Sequence, residues 1–430
     1  MTRARFAALT FLPLALASFS RATDVYIGVA GSKEGARTTA LGLPPFEAED
    51  PHRSEDAELG RKARETVRAD LLFSRYFRIL EEAPAADTPA AALKDEWRRR
   101  GAGFLLQTRA SQTADQVSFT VRLTDLGSGE AIFERYYRQS VAYWKNAAHK
   151  ISDDLTRQLT GKAGIAQSQI AFVNDAAGTK EIYVADYDGS APRRATADRS
   201  INLLPRWSPD KRSIAFTSYK DGNPDLFLLD LQSGSARVLS DRQGLNLAGG
   251  FSPDGRKIAV TLSRQKNPNI YILSVDDGSE RKVTDHFGVD ASATFSPDGE
   301  SIAFVSDRSG NPQVHILELA TGRIHRLTRL NWCDAPTWSP NGDWVAFSGR
   351  ANPKDRMDIF LVDVAGSRLI QLTHGEGSNE DPAWSPDGRF LAFTSTRAGR
   401  RQIFLMDADG SAPHPLADMP GNSSTPNWSP

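Results

Sequence analysis

The residues of this 430-residue chain that could do chemistry are mostly carboxylates. Four of them lie a few positions before aromatic residues that recur through the second half of the chain: Asp290, Asp334, Glu380 and Asp381. Carboxylate oxygens grouped in this way could hold a hard cation such as calcium. A solvated acidic rim explains the same residues without a metal, and we favour that interpretation.

The usual signatures of catalysis are missing from the sequence. Cys333 is the single cysteine, so the chain has no internal disulfide and no cysteine-based zinc cluster. No histidine is placed to activate that thiol. The sequence also lacks the Gly-x-Ser-x-Gly and His-Glu-x-x-His motifs and the glycine motifs that bind phosphates or dinucleotides. It therefore predicts neither an enzyme nor a cofactor.

The charge balance argues against a nucleic-acid-binding protein. The chain has 52 Lys and Arg against 53 Asp and Glu, whereas proteins that bind polyanions usually have a basic surplus. Hydrophobic residues make up 40% of the chain, which is typical of a globular protein.

Residues 1–22 have the pattern of a secretory signal peptide. Arg3 and Arg5 precede an apolar stretch at 6–17, and the small-residue sequence Ser20-Arg21-Ala22 follows. We expect cleavage after Ala22 and export to a bacterial periplasm, which suits a protein without disulfides. Beyond this segment the sequence has no apolar run long enough to cross a membrane.

The second half of the chain repeats an aromatic-Ser-Pro motif six times. Successive aromatic residues are 44, 44, 43, 46 and 44 positions apart. They are Trp207, Phe251, Phe295, Trp338, Trp384 and Trp428. Ser-Pro-Asp follows four of them and continues with Gly in three. These sequences are typical of tight turns, so we interpret the repeated aspartates as turn residues rather than catalytic pairs. These aspartates are Asp210, Asp254, Asp298 and Asp387. A period near 44 with short apolar strands is typical of four-stranded propeller blades.

The repeat begins and ends out of phase, and this predicts how the ring closes. Segments 170–172, 181–185 and 193–196 supply three strands without a first one. Residues 424–430 supply a first strand with nothing after it. We therefore predict a six-bladed β-propeller over residues 165–430, closed by pairing of the C-terminal strand with the first blade, which also removes exposed strand edges.

One face of this ring carries the candidate binding residues. The strands of a blade alternate in direction, so the loops that lead into each inner strand share a face with the turns between second and third strands. These lead-in loops span residues 199–205, 242–250, 286–294, 329–337, 374–383 and 419–427. Five positions before each aromatic stand Asn202, Asn246, Asp290, Cys333, Asn379 and Ser423. Loops on a rigid scaffold often bind ligands, although for any single residue the simpler interpretation is that it caps a strand end.

Residues 23–164 have the pattern of a separate small α/β domain. Leu59, Ala63, Val67 and Leu71 share one face of a helix that begins near Glu55. Further strands are predicted at 77–80, 104–108, 116–124 and 131–137, further helices at 93–100 and 144–159, and a loop at 44–50. The alternating apolar residues of segment 25–29 predict a strand that could add to another protein's sheet.

The order of these elements resembles the TolB family, whose members are periplasmic components of the Tol–Pal cell-envelope system. The resemblance covers residues 24–430 and depends on the small α/β domain, the displaced Ser-Pro-Asp-Gly repeats and the terminal Trp428-Ser-Pro. Segments 68–71, 77–80 and 121–130 are also similar to the family's first domain. The resemblance implies a non-catalytic adaptor that maintains outer-membrane integrity and supports cell division.

The same resemblance implies two protein partners. The propeller channel mouth would bind the lipoprotein Pal, which would give a peripheral association with the outer membrane, and the N-terminal segment would bind the C-terminal domain of TolA. Colicins and phage proteins also exploit the family. By position, the Pal site would include Asn202, Leu245, Asn246, Ala248, Asp290, Ala291, Asp334, Asn379 and Glu380. The TolA-binding segment would include Asp24, Val25, Tyr26, Ile27, Gly28 and Val29.

The competing hypothesis is an enzyme, or a sugar- or metal-binding propeller, that uses the channel mouth as its site. Such a site needs several polar side chains directed at one point, and the sequence offers only scattered candidates. A scaffold with a different partner is a third possibility, because fold alone does not determine function.

Overall fold

The computed structural model of the chain describes residues 38–81, 90–264 and 267–430. An α/β region comes first, and a ring of six four-stranded sheets follows it. This confirms the predicted fold class. The predicted signal peptide and the predicted partner-binding segment at 24–29 lie outside the described residues.

The described part of the α/β region contains one mixed sheet and three helices. The helices are α1 (Ser54–Phe73), α2 (Ala90–Arg99) and α3 (Trp144–Thr160). The strands are β1 (Thr39–Gly42), β2 (Glu47–Ala48), β3 (Phe77–Leu80), β4 (Phe104–Gln112), β5 (Gln116–Asp125) and β6 (Ala131–Ser140). In the order β3-β1-β4-β5-β6, β1 is parallel to both neighbours and β4 to β6 form an antiparallel meander.

The apolar face of α1 forms the centre of this region's core. Leu59, Ala63, Val67 and Leu71 are all buried, as their spacing predicts. They lie in one hydrophobic cluster with side chains of α3 and of β4 to β6. The predicted loop at 44–50 is partly wrong, because Glu47 and Ala48 form β2 and pair with β4. A two-residue strand has too little periodicity for a sequence pattern to show.

The ring contains strands β7 to β30. The first three are β7 (Gln169–Asn174), β8 (Glu181–Asp186) and β9 (Arg193–Arg194). Blade 2 is β10 (Asn202–Trp207), β11 (Ser213–Ser218), β12 (Asp225–Asp230) and β13 (Ala236–Ser240). Blade 3 is β14 (Asn246–Phe251), β15 (Lys257–Leu262), β16 (Asn269–Ser274) and β17 (Glu280–Lys282). Blade 4 is β18 (Asp290–Phe295), β19 (Ser301–Ser306), β20 (Gln313–Glu318) and β21 (Ile324–Arg326).

The remaining strands complete the ring. Blade 5 is β22 (Trp332–Trp338), β23 (Trp344–Arg350), β24 (Asp358–Asp363) and β25 (Leu369–Gln371). Blade 6 is β26 (Asn379–Trp384), β27 (Phe390–Ser395), β28 (Gln402–Asp407) and β29 (His414–Pro415). The last strand, β30 (Ser423–Trp428), pairs with β7 and so forms blade 1 with β7 to β9.

The closure of the ring by its last strand confirms the prediction from the phase of the repeat. β30 is antiparallel to β7, with Ser423 opposite Asn174 and Trp428 opposite Ile170. The Trp428 side chain is buried, and its Nε1 donates a hydrogen bond to Ser168 Oγ at 2.8 Å. The closing strand therefore supplies both backbone pairing and core packing.

The Ser-Pro-Asp-Gly turns share one hydrogen-bond pattern. In blade 3, Ser252 Oγ donates to Asp254 Oδ1 at 2.6 Å and accepts from the Lys257 amide at 3.0 Å. The same carboxylate accepts from the Arg256 amide at 3.1 Å. The repeated aspartates are thus turn residues, as predicted.

The α/β region lies on the face of the ring that carries these turns. Phe73, at the end of α1, contacts Tyr187 of blade 1 and Phe390 of blade 6, with ring centroids 4.8 and 4.5 Å apart. Tyr187 also donates its hydroxyl to Asp70 Oδ1 at 2.7 Å, and Arg389 Nη1 donates to the Ser74 carbonyl at 2.8 Å. These contacts between the described parts of the α/β region and the ring all lie on this one face.

Candidate partner-binding face

The candidate site is the face of the ring opposite the α/β region, which we call the lead-in face. It consists of the lead-in loops and the turns between second and third strands. The two kinds of loop are joined by backbone hydrogen bonds that recur around the ring. The amide at the start of each inner strand donates to the end of the preceding blade's turn, as in Asn246 to Pro224 and Asp290 to Pro268. These bonds therefore fix the start of each inner strand relative to the neighbouring blade.

The polar residues five positions before each aromatic are all buried. They are Asn202, Asn246, Asp290, Cys333, Asn379 and Ser423. The Asn246 amide donates to three backbone carbonyls, those of Pro224, Arg242 and Gly244, at 2.6 to 3.1 Å. Its oxygen accepts from the Ser240 hydroxyl at 2.7 Å. A side chain with this many internal partners holds its loop in place.

The other polar residues of this set have similar internal partners. Asp290 accepts two hydrogen bonds from Arg308 Nη2, both at 3.0 Å. Asn379 donates to Asp358 at 3.0 Å and accepts from Ser395 at 2.7 Å. Asn202 Nδ2 donates to Asp198 Oδ1 at 2.7 Å and to Glu181 Oε2 at 3.0 Å. The structure thus places these predicted site residues beneath the lead-in surface, and direct contact with a partner stays a prediction.

The apolar residues predicted for the site lie at different depths. Leu245 is half-buried, and its amide donates to Ser263 Oγ at 2.7 Å. Ala291 is also half-buried and pairs with Val305 in blade 4. Ala248 is buried in a hydrophobic cluster of blades 2 and 3. The structure does not gather these three side chains at one point.

Every inner strand bulges just before its aromatic residue, and the bulges shape the central channel. In five blades the register shifts between the residues four and one before the aromatic, for example between Asp334 and Thr337 in β22, and in blade 3 it shifts one residue later. In five blades one bulge residue has a positive φ: Leu204, Ser292, Ala335, Asp381 and Thr425. A bulge bends the strand and changes the direction in which a side chain points, so it interrupts the usual alternation between the two faces of the sheet. The cavity that they line has a volume of about 520 Å³.

Two of the predicted acidic residues meet in this channel. Asp334 and Asp381 both line it. Burial raises the pKa of the Asp334 carboxyl, and burial with the charges of Glu380 and Asp334 raises the pKa of Asp381 to about 6. Arg206 lines the same channel, where burial lowers its pKa and Asp381 opposes that effect. The channel is therefore lined by two carboxyl groups with raised pKa values and by one guanidinium.

The other two acidic candidates lie outside this pair. Glu380 accepts from Ser378 Oγ at 2.6 Å and is 3.8 Å from Arg401, and Asp290 is paired with Arg308 as above. Across the described residues, no three His, Cys, Asp or Glu side chains are grouped closely enough to hold a metal ion. In the same part of the chain, no helix is both long and apolar enough to span a membrane.

The lead-in face also carries exposed apolar side chains, and the sequence prediction missed most of them. The residue six positions before the aromatic is Ile201, Leu245, Val289 and Trp332 in blades 2 to 5, but Ser378 and Asn422 in blades 6 and 1. Ile201, Val289 and Trp332 are 45%, 44% and 39% exposed, and nearby Phe287 is 85% exposed. We call Ile201, Leu245, Phe287, Val289 and Trp332 the apolar arc.

The apolar arc is held on an ordered backbone. The carbonyls of Ile201, Leu245 and Val289 accept hydrogen bonds from the amides of Tyr219, Ser263 and Asp307. Each bond joins a lead-in loop to the turn between the second and third strands of the same blade. The signal in the sequence was the recurrence of large apolar residues one place before the buried polar position, outside the strand pattern that explains the core.

The fold defines a class of protein in which a small α/β domain is joined to a six-bladed propeller closed by its own last strand. The description "TolB beta propeller domain" matches residues 156–333 and 331–430, and "TolB amino-terminal domain" matches residues 27–132. The chain therefore belongs to the TolB family.

Individual relatives agree with this assignment. The Tol-Pal system protein TolB of Geobacter sulfurreducens is 37% identical over 195 residues, which is 44% of each chain. The protein of the same name from Bordetella avium is 30% identical over 206 residues, 47% of this chain and 45% of that one. The matches thus span somewhat less than half the length of these curated relatives. The crystal structure of TolB from Acinetobacter baumannii is 26% identical, covers 92% of this chain and 97% of its own, and has a TM-score of 0.76.

Proposed function

We propose that this protein is a non-catalytic periplasmic adaptor of the Tol–Pal system. In this proposal the lead-in face binds the lipoprotein Pal and residues 24–29 bind the C-terminal domain of TolA. The two contacts would connect the outer membrane to its Tol partners and so support outer-membrane integrity and cell division. The observation that carries the proposal is the apolar arc, which stands exposed on the face opposite the α/β region.

The arc has the composition of a protein-binding surface. Exposed apolar patches on soluble proteins mark interaction sites, and aromatic residues dominate the binding energy at such sites. The loops beneath the arc are fixed by buried hydrogen bonds, so binding does not require the face to be ordered first. The predicted Pal-site residues Asn202, Asn246, Asp290 and Asn379 contribute in this proposal by holding those loops.

The test is calorimetry of the mature chain with the soluble domain of Pal from the same organism. We expect saturable 1:1 binding. We also expect Phe287→Ala and Trp332→Ala each to weaken it by about 30-fold, the effect of losing about 2 kcal/mol at a central contact. Leu369→Ala is the matched control, because Leu369 is 48% exposed but lies on the outer strand of blade 5. Failure of the parent chain to bind would contradict the proposal, and equal loss in all three variants would move the site away from the arc.

The N-terminal part of the proposal needs a separate experiment. A chain that lacks residues 24–29 should retain Pal binding and lose binding to the C-terminal domain of TolA. Alternation of apolar residues in this segment suits addition of a strand to the partner's sheet. Unchanged TolA binding by the shortened chain would show that this segment is not the contact.

A further inference from the structure

The cations of the lead-in face are distributed unequally between neighbouring blades. In blade 6 every arginine of the turn between second and third strands has a carboxylate partner. Arg397 lies 3.2 Å from Glu376, Arg400 lies 2.6 Å from Asp418, and Arg401 lies 3.8 Å from Glu380. The positive charge of this turn is therefore neutralised within the protein.

The loops of blade 5 differ, since two of their segments contain more cations than carboxylates. Segments 329–332 and 350–357 contain Arg329, Arg350, Lys354 and Arg356 against one acidic residue, Asp355. We call these four cations the basic sector. Arg329, Lys354 and Arg356 are exposed, and none of them has an ion pair among the described residues. The nearby carboxylate of Asp358 is buried, accepting from Thr373 at 2.7 Å and from Asn379 at 3.0 Å.

The basic sector is continuous with the apolar arc. The Arg350 guanidinium lies over the Trp332 ring at 5.5 Å from its centroid, and Arg350 Nε donates to Asn331 at 3.2 Å. Arg329 and Trp332 belong to the same lead-in loop. Arg350 and Arg356 both line a cavity of about 340 Å³ beside the turn that joins β23 to β24. One surface therefore joins an exposed tryptophan to several arginines, and tryptophan and arginine are among the residue types most enriched at binding hot spots.

We propose that the basic sector binds a carboxylate-rich segment of the protein that occupies the apolar arc. This inference rests on the proposed function and adds the charge of the partner's contacting surface. Exposed ion pairs contribute little to affinity, but charges of opposite sign raise the rate of association and fix the orientation of the complex. In this proposal the apolar arc provides most of the affinity, and the basic sector raises the association rate and sets the orientation of the complex.

The experiment measures association kinetics with the soluble domain of Pal from the same organism. The test variant is Lys354→Glu with Arg356→Glu. We expect its association rate constant to fall by about tenfold at ionic strength of about 0.01 M, with little change in dissociation. The difference should narrow at about 0.15 M, where the screening length shortens from about 30 to about 8 Å.

The matched control is Lys180→Glu with Lys220→Glu, two exposed lysines on the same face in blades 1 and 2. The control makes the same change in net charge and should slow association much less. Equal slowing by both pairs would overturn the inference, because the effect would then belong to the whole face. An unchanged rate in the test variant, with binding still weakened by Trp332→Ala, would overturn it and leave the proposed function standing.

Two further outcomes are decisive. If the parent chain does not bind Pal, the inference and the proposed function fall together. If the test variant loses binding to phosphatidylglycerol vesicles while its association with Pal is unchanged, the basic sector is a membrane contact and the inference is wrong.

Discussion

At the scale of single residues, the junction between the two parts of the molecule depends on the carboxylate of Asp70. It accepts hydrogen bonds from Tyr187 of the propeller at 2.7 Å and from Ser152 of α3 at 2.6 Å. His149 Nδ1 lies 2.9 Å from the same carboxylate, and its Nε2 is buried with no hydrogen-bond partner among the described residues. Buried polar groups that share one acceptor make a junction sensitive to the protonation of any member.

We expect the stability of this junction to fall as the pH rises above about 6.5, the pKa of an unfolded histidine. Burial opposes the charged form of His149, but the hydrogen bond and charge of Asp70 outweigh it and raise the pKa of His149, with a smaller contribution from Asp188 against Lys145. A raised folded-state pKa contributes stability that is complete below the unfolded value and is lost as the pH passes the folded value.

Thermal melts of the parent chain and of His149→Gln at pH about 6 and about 8 test this expectation. The parent should lose more stability than the variant between the two pH values. The same pH dependence in both proteins would show that His149 is not responsible.

Residue roles at the candidate site were only partly predictable from the sequence. The recurring offset grouped Asn246, Asp290 and Asn379, which are all buried at the start of inner strands. A pattern of residue types does not distinguish a buried side chain that holds a loop from an exposed one that contacts a partner. Phe287 was missed because a single aromatic in a loop has no periodicity, and its exposure depends on how the loop is held.

At the scale of elements, the inner strands have to bend into the channel and still pair with their neighbours. Five blades achieve this with a residue at positive φ, whereas blade 3 has Gly249 and Gly250 in the bulge instead. A Cβ on Gly249 would lie 2.4 Å from the Ala259 carbonyl oxygen and 2.6 Å from that of Ala293. Blades 3 and 4 can therefore approach closely only because this position has no side chain.

Gly249→Ala should lower the free energy of unfolding by about 1–3 kcal/mol, since backbone rather than a flexible side chain must move. Gly103→Ala is the control, because the nearest atom to a new Cβ there is 3.7 Å away and its φ is not left-handed. Chemical denaturation of both variants measures the difference. Equal stability would mean that blade 3 can shift outward without cost.

Regular elements were predictable because each has a period. The spacing of 44 residues located the blades, and helical spacing located α1 and α3. β1 was missed, since its four residues pair through parallel neighbours that lie far apart in sequence.

At the scale of the whole molecule, the ring depends on non-covalent closure. β30 joins β7 across about the full length of the propeller sequence, and Trp428 fills the core between blades 1 and 6. Contacts between such distant segments form late and are lost together. The ring should therefore respond cooperatively to damage at this one position.

Trp428→Ala should cost about 3–5 kcal/mol, the range for truncating a buried aromatic side chain. Trp332→Ala makes the same chemical change at a side chain that is 39% exposed, and it should alter the free energy of unfolding far less. Differential scanning calorimetry compares the two. A smaller effect at Trp428 than at Trp332 would contradict the closure described above.

Besides the pairing of β30, the packing of Phe73 also connects blades 1 and 6. Its side chain packs in the cluster shared by blades 1 and 6, the two blades whose junction β30 closes. The α/β region thus bridges the same gap from outside that the last strand bridges from within. Opening the ring at the junction of blades 1 and 6 therefore means breaking the contacts of Phe73 as well as those of β30.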